Sequence, residues 1–257
     1  MNRKVYPGLS DTADTVDHIP HLVEGITSLQ SVRFYVLSNV SSGERVVDLP
    51  QVRPIVDEAL DLRRKYRVPF WEAVLLLARR EGGETLRLVL DSAARHQPMS
   101  EHAKHIDVPG VDLTVKNIRR LLAERSTDEI LALSSRVRLK SQSEYVHIPM
   151  LDFRIRPSAE NEKLAVDVLT RMSASGILFN SGNSYHFYGD DPLTEKRLLE
   201  FLGKAALFAP FVDQRWIAHQ MIEGACALRI SKGKKFTHGP RYVRTVSAIS
   251  EAGTNAT

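Results

Sequence analysis

Cysteine is almost missing from this chain: Cys226 is the only one in 257 residues. One cysteine excludes an internal disulfide and a cysteine-based zinc site within a single chain. Long apolar runs are missing too. No stretch of about 18 or more apolar residues exists, so no transmembrane helix is expected. The opening MNRKVYPGLSDTADTVDH has no apolar core of a secretion signal. These absences together predict a cytoplasmic protein that does not engage a membrane. Acidic residues are missing from one place in particular, Gly224 to Ser250, where Arg229, Lys232, Lys234, Lys235, Arg241 and Arg244 stand without a counter-charge in the segment. Such a stretch is either a solvated basic tail or the footprint of a phosphate-rich partner.

What is present is an ordinary globular composition, 43% hydrophobic and 26% charged, with a net charge of +4. Residues 1–20 and 249–257 are polar and read as flexible ends. SVRFYVLSNVSSGERVVDL (31–49) reads as two strands around a turn. Helical spacing then dominates VRPIVDEALDLRRKY, PFWEAVLLLARREGG, ETLRLVLDSAARH and LTVKNIRRLLAER. Trp71 falls in the most apolar of these and reads as core. Residues 21–135 are therefore expected to form a mainly helical N-terminal region.

From about residue 136 the pattern changes. VRLK and EYVHIPMLDFRI read as strands, and SAENEKLAVDVLTRMSASG reads as a helix capped by Ser158 and stopped by Gly176. LFNSGNSYHFYG reads as a β-hairpin. Its alternation puts Ser184, His186 and Tyr188 on one face and Tyr185 and Phe187 on the other. A further helix ends at Pro210, and another runs from about Arg215 into a strand near 226–231. The order strand, helix, hairpin, helix, strand predicts an α+β domain over 136–248, with one mixed sheet and helices on one face.

Polar residues recur at strand ends in this half. Asp152 closes the run PMLD, His186 lies on the hairpin, and Asp213 closes LFAPFVD. Carboxylates just past buried strands are placed to hold Mg²⁺ or Mn²⁺, which favour oxygen ligands shared with substrate phosphates. Ser184 and His186 would meet phosphate oxygens, and Arg229 and Ser231 add a charge and a hydroxyl. Together these suit a nucleoside triphosphate. Each residue also has a plainer reading: Asp152 as a turn residue, Asp213 as a helix cap, His186 as a packed histidine. Arg215 and His219, at i and i+4, could line a channel with Trp216 and Gln220 nearby, or Trp216 could be core. Tyr185, Phe187 and Tyr188 could stack a base or simply pack the sheet.

The pieces MLDFR (150–154), SGNSYHFYG (181–189), FVD (211–213) and LRIS (228–231) resemble, in that order, the motifs of the archaeo-eukaryotic primase (primase-polymerase) superfamily over about residues 145–245. The resemblance implies a primase-like fold. Asp152 and Asp213 would bind metal, Ser184 and His186 the triphosphate, and Arg229 would assist. It also implies nucleotidyl transfer along a single-stranded DNA or RNA template held by Lys232, Lys234, Lys235, Arg241 and Arg244, with a helicase or other system component as a further partner. Members typically carry Asp-x-Asp where this chain has Asp152-Phe153-Arg154. Arg154 puts a fixed cation where a second metal ligand would stand. The chain thus resembles a branch with a reduced Asp motif. Asp152 and Asp213 could hold one metal; Asp190, Asp191 or Glu223 could stand in for the missing acid; or Arg154 could bind phosphates in a nucleotide sensor that transfers nothing.

Overall fold

The computed structural model describes residues 14–39, 50–140, 145–233 and 238–247. The chain forms two compact units, one of residues 39–97 and one made of everything before and after them. The helical block is thus an insertion at 39–97, rather than an N-terminal half ending near 135. The second strand expected within 31–49 lies outside the described residues, as do most of 1–20 and all of 249–257.

The larger unit opens with α1 (Thr15–Val23) and β1 (Leu29–Ser38). Part of the expected flexible end is therefore a packed helix: Val16, Ile19 and Leu22 share one stripe and are buried. The inserted unit holds α2 (Arg53–Tyr66), α3 (Phe70–Glu81) and α4 (Gly83–Ala94). Pro54 lies in the first turn of α2, where its missing N–H costs nothing. Val56, Phe70, Val74, Ala78 and Val89 form this unit's own core, with Trp71 packed against it as expected.

The larger unit resumes with a short α5 (Met99–His102), β2 (Lys104–Pro109), α6 (Val115–Ala123), β3 (Glu129–Leu139), β4 (Tyr145–His147) and β5 (Met150–Asp152). Then follow α7 (Ala159–Arg171), β6 (Gly176–Asn180), β7 (Tyr185–Gly189), α8 (Glu195–Ala206), α9 (Gln214–Glu223), β8 (Ala227–Arg229) and β9 (Arg241–Val246). The class is α+β, as expected. The strands build two sheets, however, where one mixed sheet was expected. One runs β2-β1-β3-β4 with β8 also on β3, the other β5-β7-β6-β9. Each described pairing is antiparallel. A single apolar core takes side chains from both sheets, among them Phe34 and Leu133 from the first and Phe179 and Phe187 from the second. Among the described residues no helix is long and apolar enough to cross a membrane.

Gly176 does not stop α7. The helix ends at Arg171, and Ser173 takes the left-handed turn at φ 53°. Gly176 instead begins β6 at φ 153°, where an added Cβ would lie 2.1 Å from the Tyr188 carbonyl oxygen. Only glycine lets the two hairpin strands approach there.

Candidate active site

The β5–β7 register sets Asp152 directly opposite His186 and Met150 opposite Tyr188. Directly opposed residues share a sheet face, so Asp152, His186, Ser184 and Tyr188 line one side. Leu151 and Phe187 go into the core on the other. Ser184 Oγ donates to Asp152 Oδ1 at 3.3 Å, and His186 Nε2 lies 3.8 Å from the same oxygen. The turn that carries Ser184 is tied by Ser181, whose Oγ donates to the Ser184 carbonyl at 3.1 Å.

Asp213 arrives from the segment between α8 and α9. Its N–H donates to the Asp152 carbonyl at 3.0 Å, which brings the two aspartates side by side. Asp213 is also the helix cap that the plainer reading expected: its Oδ1 accepts the Trp216 N–H at 2.9 Å. Capping uses one carboxylate oxygen and fixes the side chain's direction. Arg229 ends β8, on the other sheet. Its guanidinium donates to the Ser181 carbonyl at 2.8 Å and to the Ser231 carbonyl, pinning the hairpin turn to the first sheet. The site therefore lies where the two sheets meet.

Burial, and next the neighbouring Asp213 charge, push the Asp152 carboxyl up to about 8, against the opposing pull of the Ser184 hydrogen bond and Arg229. Asp152 nevertheless keeps 23% of its side-chain surface open, enough for a ligand to reach it. His186 is driven down to about 3, first by burial and then by the Arg229 charge, so the imidazole is neutral. Its Nδ1 and the buried Tyr188 hydroxyl have no hydrogen-bond partner in the described structure. Burial likewise raises the Tyr188 phenol above its ordinary range. Two buried orphans beside paired carboxylates are a costly arrangement for a site with no role.

Not every expected residue converges. Ser231 Oγ accepts the Leu131 N–H at 3.0 Å and donates to the Lys232 carbonyl at 3.0 Å, so backbone groups occupy it. Arg241 and Arg244 lie exposed on β9, the far edge of the sheet from β5. Three strand spacings, about 14 Å, separate those edges. Arg244 there bonds Glu162 at 3.3 Å. Lys232 is exposed. Lys234 and Lys235 lie outside the described residues.

None of the substitute acids adjoins Asp152 through a described contact. Asp190 accepts from Ser175 Oγ at 2.5 Å. Asp191 is exposed. Glu223 lies ten residues along α9 from Asp213, about 15 Å by helix rise, and takes the Met99 N–H at 3.0 Å and Arg136 at 3.6 Å. Among the described residues no group of three or more His, Cys, Asp or Glu is arranged around a common point to hold a metal.

The aromatic hairpin is core. Tyr185, Phe187 and Tyr188 are all buried, so none offers a face to a base. Trp216 Nε1 donates to the Ala227 carbonyl and Gln220 Oε1 accepts the Ala227 N–H, which makes both structural. Sequence reasoning missed the part of Ser181 and the buried Tyr188 hydroxyl. The period-two alternation that paired Ser184 with His186 also carried Tyr188, and was the available signal.

Residues 109–239, just over half of the chain, match the archaeo-eukaryotic primase 1D-like family. The chain belongs to that family. The match starts well before the motifs that suggested it and takes in α6 and β3. Comparison with curated proteins and with solved structures returns no match. Membership in this primase-like family makes the function one concerned with nucleotides and nucleic acid, in a family that generally uses divalent metal ions.

Proposed function

We propose that the crevice of Asp152, Ser184, His186, Asp213 and Arg229 binds a nucleoside triphosphate with one divalent cation, Mg²⁺ or Mn²⁺, for primase-type transfer onto a strand. The observation that carries this is the meeting of Asp152 and Asp213 from two separate chain segments, close enough for the Asp213 charge to disfavour ionisation of Asp152. A cation between two such carboxylates relieves that repulsion and displaces the proton that Asp152 holds. Asp152 and Asp213 would hold the ion, which supplies charge neutralisation at the phosphates. Ser184 and neutral His186 border the same carboxylate and can donate to phosphate oxygens. Arg229, fixed by two carbonyls, adds a cation that needs no reorganisation. Lys232, Lys234, Lys235, Arg241 and Arg244 would meet strand phosphates.

A second reading is favoured by one observation, Arg154 at the position of a second acid. In it Arg154 takes the phosphates in place of a second cation, and the protein binds nucleotide without transferring it.

Calorimetry of nucleoside triphosphate with Mn²⁺, then with EDTA, on wild type and Asp152→Asn separates the two. The first reading expects binding to fall at least ~100-fold, about 2.7 kcal/mol, on either change. Primer extension in Mn²⁺ should vanish with it. Binding indifferent to EDTA and to Asp152→Asn would remove the cation and leave the second reading.

A further inference from the structure

Asp152 and Asp213 are half of a larger pattern. The segments 152–154 and 211–213 pair antiparallel about a bridge between Phe153 and Val212. Asp213 N–H donates to the Asp152 carbonyl at 3.0 Å on one side of that bridge, and Arg154 N–H donates to the Phe211 carbonyl at 2.8 Å on the other. Phe153 and Val212 point into the core, 1% and 0% exposed. Alternation then sends Asp152, Asp213, Arg154 and Phe211 to the opposite face, as two cross-strand pairs. One pair is carboxylate with carboxylate. The next, two residues or about 7 Å along the strand, is guanidinium with phenyl.

The second pair stands at an open rim. Phe211 is 36% exposed, and Leu207, at the start of the same connection, is 83% exposed. An aromatic ring left in water beside a charged crevice is an unused flat apolar surface. Nucleobases present a π-face to such rings and to guanidinium planes alike. Arg154, which breaks the Asp-x-Asp pattern, is therefore matched across the strand by a residue of suitable chemistry.

We infer that Arg154 and Phe211 form the base-side subsite of the crevice, with Phe211 stacking on the nucleobase of the bound triphosphate. The inference rests on the nucleotide reading above. It assigns the two ends of the ligand: phosphates at the aspartate pair, base at the arginine–phenylalanine pair.

The test compares ATP with inorganic tripolyphosphate, which has the phosphates and no base, both in Mn²⁺, on wild type and Phe211→Ala. Phe211 is exposed enough for the variant to fold. Expected is an approximately tenfold loss of ATP affinity in Phe211→Ala, unchanged tripolyphosphate affinity, and recovery in Phe211→Trp. Equal loss for both ligands, or no loss for either, would overturn the assignment. So would a loss seen only with a fluorescent oligonucleotide, which would give Phe211 to a strand base instead. If wild-type protein bound tripolyphosphate as tightly as ATP, the crevice would stand and the base subsite would fall. If it bound neither, the nucleotide reading itself would fail.

Discussion

In the inserted helical unit, Val52, Ile55, Val56, Phe70, Val74 and Ala78 are buried, and the charges pair in the open: Arg80 with Glu58 at 3.0 Å, Arg87 with Asp91 at 3.0 Å. In the larger unit the core also holds Thr15, His18, Ser135, His147, His186 and Glu223. Some of these polar residues are fully employed. Ser135 Oγ takes the Cys226 N–H at 2.9 Å and meets His147 Nδ1 at 3.0 Å, joining β3, β4 and the start of β8. Others are not: both His18 nitrogens, His186 Nδ1 and the Tyr188 hydroxyl have no partner in the described structure. Unsatisfied buried polar atoms cost stability, so those gathered at His186 and Tyr188 mark a place where folding was not the only requirement. Two of the three residues face the crevice. His18 lies apart, stacked on Tyr242 with centroids 5.0 Å apart, and edge-on to Phe179.

His18 offers the largest test of this contrast. Burial drives it down to about 4 from 6.5, with Asp17 opposing and His21 adding to the shift. The unfolded chain thus takes its proton first as pH falls. The stability tied to neutral His18 is complete above pH 6.5 and is lost between 6.5 and 4, about 3 kcal/mol in all. His18→Phe keeps a ring on Tyr242 and removes the titration. Urea unfolding should find the variant at least as stable as wild type near pH 7, because two unpartnered nitrogens are gone, and its advantage should grow by ~2 kcal/mol near pH 4.5. An unchanged pH slope would show that His18 is satisfied in solution.

Asp152 comes next, with the opposite sign. Its folded carboxyl is raised to about 8, so the native state holds a proton that the unfolded chain releases from about 3.8 upward. Stability falls as pH rises through that window. Asp152→Asn escapes the loss and should melt higher than wild type at pH 8, on the order of 1–2 kcal/mol, with the gap closing toward pH 4. Mn²⁺ should raise the melting temperature of wild type alone. A variant less stable than wild type at pH 8 would make Asp152 a structural residue and remove the contrast.

These buried groups also show what the sequence could convey. The ends of α2, α3 and α9 follow from Pro54, Pro69 and Gly224, because caps and breakers act locally. The hairpin and the shared face of Ser184 and His186 follow from period-two alternation. The split into two sheets does not, because β1 and β3 pair across 90 residues of chain and the insertion breaks the run of strands between them. Ser231 was expected at the triphosphate beside Arg229, but backbone groups at Leu131 and Lys232 occupy its hydroxyl, which a sequence pattern does not reveal. The Asp152–Asp213 pairing was suggested by order of motifs, yet only the backbone ladder between 152–154 and 211–213 shows what lies beside it. Phe211, in the same tripeptide as Asp213, carried no signal of its own until Val212 was seen to point inward.

The smallest effect belongs to the helical unit, and its smallness is informative. Arg80 bonds both Glu58 and Glu81, with side chains 58%, 45% and 51% exposed. Such pairs trade solvent contacts for one another, lose side-chain entropy and are screened by salt. Glu58→Gln removes one partner and leaves the second in place. The melting temperature should move by under about 1 °C, and by less still in 0.5 M salt. Nucleotide affinity should not change at all. A shift of several degrees would mean that the pair is stronger than its exposure implies, and any loss of Mn²⁺-dependent binding would mean that the surface charges of residues 53–94 serve the crevice. The inserted unit would then belong to the function and not only to the fold.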